Sequence, residues 1–309
     1  MKRFGRVGWW LLFACAASPA SAWAAPAPAR AKPAEIVMDA ATGRVLHAQD
    51  ADRSRRPASI AKVMTLFLVF DALDAGELRA DERLTVSRHA AAREASRLGL
   101  RPGGSIGVEA AMRAVAVKSA NDAAVVLAEA VAGSEAAFAR RMTAKARSLG
   151  MADTVFGNAT GLPDKRTRTT ARDIARLARA VLREHPGRYP LFGRRAITWR
   201  ERTHANHNRL LGRVTGVDGI KTGYTAAAGY TLAASAKRGG RRLIAVLLGA
   251  PSGQARDQRV GSLLERGFAE MASAGASRTR NAPASAPGPS RRRGIVLAAA
   301  TAPARSRRR

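Results

Sequence analysis

Cysteine is almost missing from this sequence. The chain has 309 residues and one cysteine, Cys15, which lies in an apolar stretch near the N-terminus. The rest of the chain therefore has no disulfide framework, no zinc site built on cysteines and no cysteine nucleophile. Hydrophobic residues still make up 46% of the sequence, which is enough to build a core, so a wholly disordered protein is excluded.

Acidic residues are also scarce. The chain has 53 Lys and Arg against 23 Asp and Glu, which gives a formal net charge of +30. Such a basic chain is able to bind nucleic acid, but the sequence contains no nucleic-acid recognition motif. We therefore predict no nucleic-acid partner and regard the arginine bias as a feature of overall composition.

No apolar run is long enough to cross a membrane as a helix, which requires about 20 residues. Residues 1–8 are basic, 9–17 are apolar, and Ala20-Ser21-Ala22 fits a small-x-small cleavage site, with Ala22-Trp23-Ala24 as an alternative. This order predicts a signal peptide over residues 1–24 and secretion across the inner membrane into the periplasm or cell envelope. An uncleaved interfacial anchor is the alternative interpretation.

Composition divides the remainder into three parts. Residues 25–34 form an Ala/Pro linker, 35–272 have the pattern of a folded domain, and 273–309 are rich in Ala, Pro, Ser and Arg. We predict that the last part is disordered. Its nine Arg without an acidic residue fit either a solvated extension or a peripheral contact with an anionic envelope surface.

The hydrophobic pattern of the middle part predicts an α+β fold. Two short apolar runs within 35–49 indicate a hairpin, and residues 229–237 and 242–250 read as buried strands. Strands near both ends with helices between them favour an antiparallel sheet flanked by helices, plus a helical lobe. The predicted helices are 59–75, 108–132, 135–149, 170–184 and 257–272.

A first candidate motif is Ser59-Ile60-Ala61-Lys62. Positions i and i+3 share one face of a helix, which places Lys62 one turn deeper than the Ser59 hydroxyl. A lysine desolvated among apolar side chains can lose its proton near neutrality and activate a serine as a nucleophile. Taken alone, the four-residue motif favours an N-cap serine and a surface lysine over this catalytic pair.

Two further motifs follow. Ser119-Ala120-Asn121 comes after a predicted helix, where the hydroxyl could relay a proton and the amide could bind both an amide of a substrate and the Lys62 region; an ordinary turn is the alternative. Lys221-Thr222-Gly223 reads as the start of an edge strand, where Lys221 and Thr222 could bind a carboxylate.

Gly223 would let an extended substrate approach this strand closely and add to it. The N–H groups of Tyr224 and Ser59 could then form an oxyanion hole. Taken alone, the third motif also fits a glycine at a strand turn beside a solvated lysine.

The three motifs occur once each, 60 residues (59 to 119) and 102 residues (119 to 221) apart. In this order they resemble the D-alanyl-D-alanine carboxypeptidase family, the low-molecular-mass penicillin-binding proteins of serine peptidase family S11. The stretches PASIAKVMT, SANDAA and NRLLGRVTGVDGIKTGYT carry the resemblance, which extends over about 35–272.

The resemblance implies a β-lactamase/DD-peptidase-like fold and a serine-type D-Ala-D-Ala carboxypeptidase that trims peptidoglycan stem peptides during cell wall biogenesis. It implies β-lactams as covalent inhibitors and no metal or organic cofactor. The roles that it implies are nucleophile for Ser59, general base for Lys62, proton relay for Ser119, and substrate binding for Asn121, Lys221, Thr222, Gly223 and Tyr224.

Alternative functions remain at this stage. A DD-endopeptidase that cuts peptidoglycan crosslinks fits a single-domain family member, and only about 37 residues follow the last predicted helix. A class A β-lactamase needs a Glu-x-x-Leu-Asn loop, which none of Glu129, Glu135, Glu184 and Glu201 begins. The sequence contains no Gly-x-Ser-x-Gly elbow, which a Ser-His-Asp hydrolase would need. The three motifs argue against a non-catalytic cationic wall-binding protein, which has no use for them.

Departures from the family pattern bear on substrate preference. Ala120 stands where glycine is usual, Thr143 where asparagine is usual, and the segment 164–173 is unusually basic.

Overall fold

The computed structural model describes the backbone of residues 32–280 and the side chains of residues 32–273. The expected signal peptide, most of the expected linker and residues 281–309 of the expected tail lie outside this range. Among residues 32–280, none of the helices combines the length and hydrophobicity that crossing a bilayer requires.

A five-stranded antiparallel sheet forms the centre of the fold. Its strand order is β2-β1-β9-β8-β7, so the strands from the two ends of the domain pair with each other. Two short ribbons, β3 with β4 and β5 with β6, lie outside this sheet. The strands are β1 (Ala34–Asp39), β2 (Val45–Gln49), β3 (Arg83–Thr85), β4 (Ser105–Gly107), β5 (Ala196–Trp199), β6 (Arg202–Ala205), β7 (Val217–Thr225), β8 (Gly229–Arg238) and β9 (Arg241–Ala250).

Helices cover both faces of the sheet. In β9, Leu243, Ala245 and Leu247 point to one face and Ile244, Val246 and Leu248 to the other, because successive side chains of a strand alternate. The first face packs on the C-terminal helix, and the second packs on the remaining helices. The helices are α1 (Ala61–Asp74), α2 (Arg88–Ala91), α3 (Val108–Arg113), α4 (Asn121–Ala132), α5 (Glu135–Ser148), α6 (Ala171–Glu184) and α7 (Gly253–Arg280).

Helix α1 is enclosed on nearly all sides, as its apolar sequence predicts. Eleven of its 14 residues are buried, including the polar Lys62 and Thr65. A helix that is apolar all round has no face to give to water, so it lies in the interior. This central position makes α1 the support for any group at its N-terminus.

The predicted α+β fold is confirmed, with differences in detail. The expected helix 108–132 is divided into α3, a π-helical turn at Ala114–Lys118 and α4, and the chain turns at Ser119, whose φ is +63°. Helix α7 begins four residues before the expected start and extends to Arg280, beyond the expected end at 272. The two short ribbons were not predicted, because three or four residues are too few for a period-two pattern.

Candidate active site

Ser59 lies in a 3-10 turn, Ala58–Ile60, that leads directly into α1. Ala58 and Ile60 on either side of the serine are both buried, whereas Ser59 is only partly buried and lines a cleft. The start of a helix also carries partial positive charge, which favours a developing anion. The predicted position of Ser59 in the first turn is therefore what the structure shows.

Lys62 lies one turn further along, completely removed from solvent. Its Nζ is 3.0 Å from Oγ of Ser59 and donates a hydrogen bond to the carbonyl oxygen of Thr160 at 2.7 Å. Burial lowers the pKa of Lys62 well below its usual value, and the positive charge of Lys221 lowers it further, while Asp122 acts in the opposite direction. A neutral amine at this position can take the proton from Ser59.

A loop that the sequence analysis did not single out holds the carbonyl oxygen that anchors Lys62. The Asn158 side chain accepts hydrogen bonds from the backbone N–H groups of Thr160 (3.2 Å) and Gly161 (2.7 Å), and donates to the carbonyl of Leu162 (3.0 Å). Gly161 has a φ of +76°, and a Cβ there would overlap the carbonyl oxygen of Ala58. Only glycine lets this loop lie against the Ser59 turn.

The second motif brings Ser119 to the same cleft. Its Oγ is buried and has no hydrogen-bond partner within the described residues, which is unusual for a buried hydroxyl. Asn121 donates from Nδ2 to the carbonyl oxygen of Glu94 at 2.6 Å, and its Oδ1 is also without a partner. Asn121 therefore makes no hydrogen bond to Lys62, contrary to one part of the expectation, but it leaves an acceptor for a substrate N–H.

The third motif lies in the middle of β7 rather than at the start of a strand, and β7 is an edge strand as predicted. Gly223 faces the Ser59 turn. A Cβ at this position would be 2.8 Å from the backbone nitrogen of Ser59 and 2.6 Å from Oγ1 of Thr231. Glycine is needed here because the strand touches the nucleophile turn, a reason different from the close approach of substrate that we expected.

Lys221 lies beneath the cleft instead of lining it. It is 2% exposed, and its Nζ donates to the carbonyl oxygen of Thr222 at 3.1 Å. Burial, together with the positive charge of Arg256, lowers its pKa to about 7. Arg256 itself lines the cleft and donates from Nε to Asp257 at 2.8 Å. Two cations thus line the cleft, the exposed Arg209 and the largely buried Arg256. The sequence analysis singled out neither of them, and Arg256 lies one residue before the predicted helix.

One cleft of about 670 Å³ brings most of the predicted residues together. Tyr224 is half exposed at its edge and stacks on Tyr230 with ring centroids 4.4 Å apart. Six of the eight predicted site residues line this cleft: Ser59, Ser119, Asn121, Thr222, Gly223 and Tyr224. Lys62 and Lys221 lie behind them, so the two predicted lysines act from below the surface.

His207 lines the same cleft and was not assigned a role from the sequence. His207 is exposed at the cleft, where partial desolvation lowers its pKa to about 4, and the positive charges of Lys221 and Lys118 act in the same direction. It is therefore neutral at pH 7. Among residues 32–280, no cluster of three or more His, Cys, Asp or Glu side chains has the arrangement to hold a metal ion.

Residues 21–252 match the family model described as D-alanyl-D-alanine carboxypeptidase, Peptidase_S11. The chain belongs to this family. D-alanyl-D-alanine carboxypeptidase DacC of Escherichia coli is 38% identical over 240 residues, which cover 75% of this chain and 60% of the relative. The DacF protein of Bacillus subtilis is 36% identical over 240 residues, or 76% of this chain and 61% of the relative. The chain thus spans about three fifths of the length of these two family members.

Solved structures of family members have the same fold. The DacD carboxypeptidase of Francisella tularensis has a TM-score of 0.74 at 31% identity, and the match covers 77% of this chain and 71% of that one. The ampicillin-bound form of penicillin-binding protein D2 from Listeria monocytogenes has a TM-score of 0.70 at 34% identity, covering 76% of this chain and 96% of that one. These similarities confirm the predicted family and fold.

Proposed function

We propose that this protein is a serine-type D-Ala-D-Ala carboxypeptidase that trims peptidoglycan stem peptides through an acyl-enzyme on Ser59. The observation that carries the proposal is the distance of 3.0 Å between Oγ of Ser59 and Nζ of the fully buried Lys62. A hydroxyl at a cleft surface with a neutral amine behind it is the arrangement that nucleophilic catalysis by serine requires.

Acylation follows from this geometry. Neutral Lys62 takes the proton of Ser59, and Oγ attacks the carbonyl carbon of the penultimate D-Ala. The N–H groups of Ser59 and Tyr224 stabilise the oxyanion, since Gly223 brings β7 against the nucleophile turn. As the C–N bond breaks, the Ser119 hydroxyl gives its proton to the departing amine of the last D-Ala and receives the proton held by Lys62, which returns Lys62 to the neutral state.

Hydrolysis of the acyl-enzyme uses the same base. The side chains that line the cleft in the described part of the chain include no carboxylate. Lys62 is therefore the group that activates the deacylating water. Glu135 accepts hydrogen bonds from His89 and from the backbone of Ala159 instead of facing the cleft, and Glu129 accepts one from Ser87. A class A β-lactamase, which needs a carboxylate for deacylation, fits this site poorly.

The free carboxylate of the substrate would bind beside Ser119 and Thr222, which line the cleft. Arg209 and Arg256 also line the cleft, and Lys221 lies beneath it. Charged donors around a carboxylate give hydrogen bonds roughly twice as strong as neutral ones. This arrangement favours a substrate that ends in a free carboxylate, such as D-Ala-D-Ala, and a β-lactam that carries an acid in the same place.

We propose in the same way that the protein is exported to the periplasm or cell envelope, where peptidoglycan is found. The basic and apolar N-terminal stretch with its small-residue cleavage sites supports export. Penicillins would acylate Ser59 covalently.

Mass spectrometry of muropeptides tests the activity. A mixture of free pentapeptides and crosslinked dimers is incubated with the protein and, in parallel, with the Ser59→Ala variant. We expect pentapeptides to lose one alanine while dimers remain, and no change with the variant. Cleavage of dimers with intact pentapeptides would show a DD-endopeptidase instead, and no change in either substrate would favour a wall-binding protein without catalysis.

A further inference from the structure

A second cavity, of about 380 Å³, lies at the turn between β7 and β8. We call it the basic groove. The turn residues Ala226 to Gly229 line it, together with four basic residues: Arg55, Arg56, Lys165 and Arg168. No acidic side chain of the described residues lines it.

The four cations of the basic groove have no carboxylate partner. Within residues 32–273, none of them makes an ion pair, although neighbouring arginines do: Arg166 is 3.3 Å from Asp164, and Arg172 is 2.6 Å from Asp52. Like charges gathered in one cavity repel each other, and an anion placed among them relieves this repulsion. The clustered positive charge of the groove thus favours the binding of an anion.

Backbone carbonyls fix two of the four side chains in place. Arg56 donates from Nη1 to the carbonyl oxygens of Asp164 (2.6 Å) and Lys165 (3.2 Å), and also to that of Thr167. Its Nε and Nη2 make no hydrogen bond to any described residue. Arg55 donates to the carbonyl oxygen of Lys32 at 2.5 Å. Donors held in this way need little further ordering to bind a ligand.

A smaller cavity of about 220 Å³ lies between the basic groove and the active-site cleft. It shares Gly161, Leu162 and Thr225 with the cleft, and Arg56 and Lys165 with the groove. Asp164 also lines this cavity, and its carboxylate is paired with Arg166 at 3.3 Å. The shared residues place the three cavities side by side, so an extended ligand that leaves the cleft beside Thr225 comes next to the groove.

The proposed position of the substrate carboxylate determines which way the substrate runs along β7. Thr222, Gly223, Tyr224 and Thr225 line the cleft in this order along β7, and the turn 226–229 follows them. With the carboxylate at Thr222, a substrate that lies along β7 has the part before its scissile bond directed past Thr225 towards this turn. Residues 226–229 line the basic groove, so the upstream part of such a substrate reaches the groove.

We propose that the basic groove binds a carboxylate carried by the substrate on the upstream side of its D-Ala-D-Ala end, so that the protein prefers acidic stem peptides. This inference rests on the proposed carboxypeptidase function. It assigns to Lys165 and Arg168, which lie in the unusually basic segment 164–173, a role in substrate selection.

The test compares peptides that end in D-Ala-D-Ala and carry one carboxylate at the first, second or third residue upstream, each with its neutral carboxamide counterpart. The variant is Lys165→Gln/Arg168→Gln, since both side chains are exposed and neither belongs to the proposed catalytic machinery. The matched control is Arg140→Gln/Arg147→Gln on α5, which removes the same charge from two exposed arginines without ion pairs in the described structure.

We expect the unaltered protein and the control to cleave at least one carboxylate peptide with a kcat/KM roughly three- to tenfold above its carboxamide, the range that two partly exposed ion pairs provide. The groove variant loses this preference and cleaves the carboxamide at the unaltered rate. The preference also falls as salt is raised, because exposed charges are screened. Equal rates on both members of every pair in the unaltered protein, or a preference that the groove variant keeps, would overturn the inference.

The experiment distinguishes failure of the basic groove as a substrate site from failure of the proposed carboxypeptidase function. Release of D-Ala without any acidic preference leaves the carboxypeptidase standing and removes the groove as a substrate site. If no peptide is cleaved, calorimetric binding of the same pairs to the Ser59→Ala variant decides, and equal affinities overturn the inference. A groove variant that only adsorbs less to anionic vesicles, with unchanged peptide selection, would show a surface-binding patch instead.

Discussion

The surroundings of Lys62 suit the proposed role of general base. An exposed lysine is protonated at pH 7, but an ammonium group without water is less stable than the neutral amine. Lys62 also keeps a carbonyl acceptor, that of Thr160, so the neutral amine can donate there and still accept a proton from Ser59. The buried surroundings of Lys62 thus set both the position and the protonation state of its amine.

Replacement of Lys62 by an uncharged residue tests its role as the base. Lys62→Met replaces the amine by an apolar side chain of similar length and so removes the base. The rate of Ser59 acylation by penicillin should therefore fall about 10²- to 10⁴-fold, which is the contribution of a positioned general base. A fluorescent penicillin measures the rate. The control is Lys237→Met, a change of the same kind at an exposed site of β8, which should acylate normally. Acylation of Lys62→Met at the unaltered rate would assign the base to another group.

Lys221 gives a prediction about stability and pH. Its pKa is about 7 in the folded protein against a usual 10.5, so between these two pH values the unfolded chain binds more protons and the free energy of unfolding rises with pH. Below pH 7 the folded protein carries the full penalty of a buried ammonium. Lys221→Met should therefore be more stable than the unaltered protein at pH 6, by at least about 1.4 kcal/mol, the equivalent of one pKa unit.

This gain should shrink as pH rises towards 10, because the unaltered protein then loses the buried charge. Urea denaturation at pH 6 and pH 9.5 measures both differences. Lys237→Met serves again as the control and should show no such dependence, since its side chain is exposed. The same stability difference at both pH values would show that the Lys221 pKa is not lowered in the folded state.

At the scale of elements, the site depends on the contact between β7 and the Ser59 turn. Gly223→Ala places a Cβ within 3.0 Å of Ala58 and closer still to Ser59 and Thr231. Real Cβ atoms do not approach backbone so closely, so the strand or the turn must shift. Misplacement of reacting groups by about 1 Å lowers rates about 10²-fold, and we expect that loss in penicillin acylation.

A glycine with free space around it provides the control for this change. Gly187 has no atom within 4 Å of its would-be Cβ, so Gly187→Ala should leave acylation unchanged. Circular dichroism checks that both variants fold. A folded Gly223→Ala protein with normal acylation would mean that the edge strand need not touch the nucleophile turn.

How far the sequence predicts these elements depends on the range of the interactions involved. Helix α1 and strands β8 and β9 were predicted within a few residues because each is a long apolar run. The break at Ser119 was not predicted as a left-handed residue, because it arises from tertiary contacts: the N–H of Asn121 donates to the carbonyl of Ser96 at 2.7 Å. Local pattern carries no information about such partners.

The same limit applies to the site. Short motifs gave Ser59, Lys62 and the β7 residues, since their spacing along one element is visible in the sequence. The loop with Asn158 supports Lys62 from 98 residues away, and no local pattern marks the carbonyl oxygen of Thr160 as an acceptor. Arg256 was missed for a related reason, because its position at the cleft follows from how α7 packs on the sheet.

At the scale of the whole molecule, the pairing of terminal strands explains why the motifs meet. Strand β1 pairs with β9, so the chain leaves the sheet after β2, builds the helices and returns through β7 to the other edge. Ser59 lies in the turn that leads into α1, the first of these helices, and Gly223 lies on β7. The cleft is the junction between the sheet and the helical lobe, where residues distant in sequence converge.

The C-terminal segment of the chain is strongly basic. Residues 278–309 contain nine Arg and no acidic residue. Basic residues near an anionic surface contribute about 1 kcal/mol each, so removal of this segment should weaken adsorption to anionic vesicles at least about tenfold at low salt. Penicillin acylation should stay unchanged, because the described active-site residues all precede the segment.

A full-length variant with the nine Arg changed to Gln separates charge from length and should behave like the truncation. Adsorption that survives both changes would place the membrane contact on the folded domain, and the tail would then be a solvated extension.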